Sequence, residues 1–141
     1  MDRQNLLVAR IERLADFAVV LEAPGFVAGE GVTPVSEPGV WSMRHTTYHP
    51  AVDRFIALAY EDGWVRSGFD WGVWSATQEA RGLRDDPGTL ASAAPDQLSM
   101  LITVLVRNER FSEGTLLRAC EAGLVMGIVQ RARVLAGQAT D

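Results

Sequence analysis

The stretch "LSMLITVLVRNERFSEG", residues 98–114, decides the fold. Leu98, Leu101, Ile102, Leu105 and Val106 recur at helical spacing and mark one side of a helix. Met100 and Val104 carry apolar character around the rest of it, and a helix apolar nearly all round belongs at the centre of a fold. The spacing predicts this central helix over residues 95–110. The chain then turns polar at "VRNERFSEG", residues 106–114, and re-enters an apolar pattern marked by Leu117, Cys120, Leu124 and Ile128. That pattern predicts a last and longest helix over residues 113–136. Gly123 and Gly127 lie four apart on it, at about 1 kcal/mol each relative to Ala, which suggests close approach of another helix within the chain or across a dimer.

Upstream, Leu7, Ile11, Leu14, Ala18 and Leu21 give one apolar stripe over residues 4–22, stopped by Pro24 and Gly25. Residues 24–48 are punctuated by Pro and Gly, so a long irregular loop is expected, with a short hairpin as the alternative and Phe26 and Trp41 as its pins. Pro50 suits a first helical turn, Val52, Phe55, Ile56, Ala59 and Tyr60 share a face, and Gly63 ends that helix. Residues 70–83 read as a third helix capped by Asp70, and Asp86 with Pro87 starts a short fourth. The fold class is all-α: a single domain over residues 1–141, arranged as an orthogonal bundle of about five helices.

Composition bounds the chemistry. The 141 residues are 48% hydrophobic and 22% charged, ordinary globular values. All 13 basic residues are Arg, which removes Lys-based Schiff-base and P-loop chemistry. The net charge of -5 disfavours nucleic acid as a partner. One cysteine, Cys120, allows no intrachain disulfide and suits a reducing cytoplasm. Two histidines and one cysteine make no familiar zinc site, so no metal or cofactor is expected. The longest apolar stretch is far short of the roughly 20 residues that cross a bilayer, and no membrane partner is expected.

Three clusters are candidate sites. At the corner, Arg107 and Arg110 lie three apart at the negative end of the central helix, while Ser112 is placed to cap the next helix with Glu113 in its first turn. Each charge there has a structural rationale, yet two arginines beside a helix start also suit a phosphate or carboxylate. In "FDWGVW", residues 69–74, Asp70 is an N-cap or an arginine partner, and Trp71 and Trp74 share a face. An ion pair from Asp70 to Arg107 or Arg110 would unite the two clusters. His45, Tyr48 and His49 in "MRHTTYHP" are secondary candidates, with no metal or triad spacing around them. Cys120 sits on an apolar face and reads as an inert thiol.

Phe69, Asp70 and Trp71, then Arg107, Arg110, Phe111, Glu113 and Gly114, then Gly123, form a pattern that resembles a bacterial and archaeal family, domain of unknown function 6508. "PGFVAGE" and "TTYHPAV" also resemble that family's earlier segments. The resemblance implies a shared fold and brings no activity with it. The leading expectation is a small cytoplasmic helical protein that acts by association, as a homodimer or with a protein partner. The alternative is an enzyme or small-anion-binding domain with a pocket around Asp70, Arg107, Arg110 and Glu113, walled by Trp71 or Trp74.

Overall fold

The computed structural model describes residues 3–32 and 45–139. Trp41 and the middle of the stretch expected to be an irregular loop lie outside the described residues. The order of elements is α1 (Arg3–Ala15), α2 (Phe17–Leu21), β1 (Gly29–Val32), β2 (His45–Tyr48), α3 (Pro50–Glu61), α4 (Trp71–Ser75), α5 (Gln78–Asp85), α6 (Pro87–Leu90), α7 (Pro95–Glu109), α8 (Thr115–Glu121) and α9 (Leu124–Ala139). The class is all-α with one small antiparallel sheet, in which Gly29 faces Tyr48 and Val32 faces His45. A Cβ on Gly29 would stand 2.5 Å from the Thr47 carbonyl oxygen, so only glycine fits that pairing.

The helical segments number nine among the described residues rather than about five: the short helix expected at Pro87 stands by itself as α6, and three of the other expected helices are each broken once. Asp16 interrupts the first between α1 and α2. Thr77 splits the third: its backbone is extended, its hydroxyl donates to the Trp74 carbonyl at 2.6 Å, and its oxygen accepts from Ala80 N at 3.2 Å as the cap of α5. Gly123, at φ +85°, ends α8 and separates it from α9.

Helix α7 carries the core. Leu98, Leu101 and Ile102 are fully buried, and Leu14, Leu83, Leu116, Ile128 and Val129 from other helices join one contiguous apolar cluster with them. Helix α1 packs along α9, α4 along α7, and α8 against both α7 and α9. A Cβ on Gly127 would meet Leu90 Cδ2 at 2.5 Å. The close approach expected at that glycine is therefore made inside the chain, by α6.

Two hydroxyls break the apolar surface of α7, and both are used. Ser99 Oγ donates to the Trp64 carbonyl at 2.7 Å. Thr103 Oγ1, fully buried, donates to the Ser99 carbonyl at 2.8 Å and accepts from Arg66 N at 3.0 Å. They fix the segment after α3 against the central helix without regular secondary structure. Replacing Thr103 by valine keeps the shape and strands the Arg66 N–H. The Thr103→Val variant is expected to lose about 1–3 kcal/mol of stability, measured by urea denaturation.

Candidate functional site

The corner between α7 and α8 is organised by a residue that charge counting passes over. Glu109 Oε1 accepts from Leu116 N at 2.9 Å and from the Tyr48 hydroxyl at 2.7 Å, and Oε2 accepts from Gly114 N at 3.1 Å. It satisfies the N–H groups at the start of α8, a place suited to a carboxylate. The Tyr48 oxygen in turn accepts from Leu117 N at 3.2 Å. Burial, together with the bond to Glu109, pushes the Tyr48 phenol above its ordinary value of 10.0.

Ser112 does not cap α8 with its side chain, as expected from its position. Its carbonyl accepts from Thr115 N at 3.2 Å and from Thr115 Oγ1 at 2.6 Å. The cap position itself is held by Gly114 at φ +95°, a left-handed conformation that favours glycine. Glu113 precedes α8 rather than standing in its first turn, and it accepts from Thr46 N at 3.1 Å. The corner is thus fastened to β2 twice, through Glu109 and through Glu113.

On the other side of the corner, an open cleft of about 250 Å³ is lined by Arg66, Gly68, Phe69, Trp71, Arg107, Arg110 and Phe111. Arg66 is held in place, with Nε on Ser99 Oγ at 3.1 Å and Nη2 on Asp96 at 2.8 Å. The Arg107 guanidinium lies 5.8 Å from the centre of the Tyr60 ring. Arg110 is exposed, and its guanidinium has no ion-pair or hydrogen-bond partner among the described residues. Trp71 and Phe111 stack at 6.2 Å with a tilt of 26°, while Phe111 remains 80% exposed.

The structure brings together three of the six residues expected at the site, Trp71, Arg107 and Arg110. The other three face different tasks. Asp70 accepts from Val73 N at 3.1 Å as the cap of α4. Its expected ion pair with Arg107 or Arg110 does not form: the ion pairs among the described residues are Arg13–Asp62, Arg66–Asp96 and Arg133–Glu22. Trp74 is buried against Phe69 and donates to Glu79 Oε1 at 2.8 Å; that bond, aided by Gln97, holds the Glu79 carboxyl below its usual value. Glu113 serves β2 as described. Sequence reasoning missed Arg66, whose place depends on hydroxyls more than 30 residues away, and Phe69 and Phe111, which stood beside the chosen positions in both motifs.

Of the secondary candidates, His49 caps α3, accepting from Ala51 N on Nδ1 at 3.0 Å. His45 lies in β2, with its side chain outside the described atoms. Cys120 is half-buried, and burial, with Glu121 nearby, pushes its thiol up to about 11. No group of three or more His, Cys, Asp or Glu among the described residues stands close enough to hold a metal, and no described helix is long and apolar enough to cross a membrane. A larger groove of about 390 Å³ lies between α6 and α9, but its two arginines are occupied: Arg84 donates to Ser75 Oγ and Arg131 to the Ala93 carbonyl, each at 2.8 Å.

The model of the family described as "Family of unknown function (DUF6508)" matches residues 6–138, nearly the whole chain, and the chain belongs to that family. No curated protein and no solved structure matches it.

Removing the Glu109 carboxylate leaves two α8 N–H groups and a phenol without their acceptor. Glu109→Ala is expected to lose about 2 kcal/mol in urea denaturation. The raised Tyr48 value sets a second expectation, with a definite sign. Below pH 10 the phenol is neutral in both folded and unfolded chains, and its contribution is fully present; above it the unfolded phenol ionises first and stability is lost. Tyr48→Phe should therefore show a shallower decline in stability above pH 10 than the native protein, and equal slopes would count against a phenol held by Glu109.

Proposed function

We propose that this member of the family works by recognition, holding an anionic group in the cleft between the segment 66–71 and the α7–α8 corner. One observation carries the proposal. Three guanidiniums line the cleft, and no carboxylate is among its lining residues. Guanidiniums pair with carboxylates and phosphates through parallel N–H donors; Arg66 already has Asp96, whereas Arg107 and Arg110 are in no ion pair among the described residues and offer donors to a ligand. The aromatic walls lower the exposure of such a pair to water and strengthen it.

In the larger groove by α9 both guanidiniums are hydrogen-bonded within the chain, Arg84 to Ser75 and Arg131 to the Ala93 carbonyl, whereas the Arg110 guanidinium of the cleft has no acceptor among the described residues. The two glycines that pointed to self-association through the last helix are also used within the chain, Gly123 in ending α8 and Gly127 in admitting Leu90. Self-association remains a second proposal on a different face. It is favoured by Phe111 and by Val73 on α4, which is 67% exposed, because large exposed apolar side chains beside Trp and Arg are common at interfaces. Light scattering after size exclusion tests it; a monomer at high protein concentration ends it.

Arg110 separates binding from folding. It is exposed and has no ion-pair or hydrogen-bond partner among the described residues, so Arg110→Ala is expected to change stability by less than about 0.5 kcal/mol. The same variant should weaken inorganic phosphate binding severalfold, followed at low ionic strength by amide shifts of residues 66–71 and 107–111. Phosphate shifts that are identical in the native and variant proteins would end the anion proposal.

A further inference from the structure

We propose that the ligand of this cleft is a small phosphate monoester carrying a planar aromatic ring, the chemistry shared by a nucleotide and an aryl phosphate. This rests on the anion-binding function proposed above and goes further by naming the ligand class.

The phosphate follows from charge. Arg66 is already paired with Asp96, whereas neither Arg107 nor Arg110 takes part in an ion pair among the described residues. Two uncompensated guanidiniums match a phosphate monoester, which carries about -1.5 to -2 at neutral pH, better than a carboxylate with a single charge. A phosphate also offers three oxygens to donors arriving from separate elements, here the segment before α4 and the end of α7. A long polyanion is a poorer match, because beyond the cleft it would meet a chain of net charge -5.

The ring follows from Trp71 and Phe111. Their stacked pair forms one wall of the cleft, and Phe111, directly after Arg110 in the chain, leaves 80% of its surface open. An aromatic face beside cations is a platform for another planar ring. Size agrees with this division. At about 250 Å³ the cleft is smaller than the roughly 300–1,000 Å³ that encloses a whole ligand. It holds the phosphate, and the ring lies on the aromatic rim outside.

The test is a titration of the native protein at low ionic strength with inorganic phosphate, adenosine, adenosine monophosphate and phenyl phosphate, read by amide shifts. At least one of the monoesters should bind roughly fivefold or more tightly than inorganic phosphate, the scale of one base stacked on an aromatic side chain. The tighter monoester identifies the source. Phe111→Ala, at a position too exposed to threaten folding, should abolish the advantage of the monoesters over inorganic phosphate, so that all three phosphates bind the variant alike. Arg110→Ala should weaken all three phosphates. Equal affinity for inorganic phosphate and both monoesters would overturn the ring and leave the anion site standing. Adenosine binding as tightly as its monophosphate would overturn the phosphate. If none of the four binds, the anion site falls as well.

Discussion

The Glu109 carboxylate joins three elements at one point. It ends α7, accepts the first N–H groups of α8 and holds the Tyr48 hydroxyl that closes β2. A helix start leaves orphan donors that need acceptors, and here a single side chain answers two of them together with a phenol. The turn from α7 to α8 is consequently specified by a hydrogen-bonded carboxylate and one left-handed glycine, Gly114, with little apolar contact at the turn itself. Because that turn is fixed, the two residues that follow Glu109 project outward. Arg110 and Phe111 are both exposed, and both line the cleft.

The corner is neutral by residue count but not by geometry. Glu109 and Glu113, which match Arg107 and Arg110 in number, and Asp70 nearby in the expected site all accept from backbone N–H groups: Gly114 and Leu116, then Thr46, then Val73. Their charge is directed at helix starts and a strand, where it is favoured, and not at the guanidiniums. The arginines line the cleft instead, and among the described residues Asp96 is the one acid paired to any of them. Capping thus has a functional consequence, since acids engaged by backbone N–H groups leave cations open to a ligand.

What the sequence revealed was local. Asp70 and Asp86 as caps, Pro50 and Pro87 at first turns, Gly63 as a stop and α7 as the most buried helix all depend on neighbours within a turn, and all appear in the structure. The breaks at Asp16, Thr77 and Gly123 were hidden, because the apolar pattern continues on both sides of each break when both pieces face the same core. The site was hidden for a different reason. Glu109 meets Tyr48 across 61 positions, and Arg66 meets Ser99 across 33. No spacing rule reaches that far. The pairing of Asp70 with an arginine was plausible from charge alone, but a competing acceptor role three residues away took the carboxylate instead.

The net charge of -5 bears differently on different ligands. It opposes a polymer that spreads along the surface and meets many acids in turn. It weighs little on a small anion, because charges beyond about 8 Å are screened at physiological salt, whereas guanidiniums a few ångströms away are not. The three arginines also differ in readiness. Arg66 is fixed by two hydrogen bonds and Arg107 is steadied by Tyr60, so both are ordered before any ligand arrives. Arg110 has no partner among the described residues and loses side-chain entropy on binding, a cost of about 0.5–1.5 kcal/mol for a side chain of this kind. The cleft therefore combines two preset donors with one adaptable donor. The adaptable one stands next to the exposed ring of Phe111, so whatever orders Arg110 is drawn against the aromatic wall.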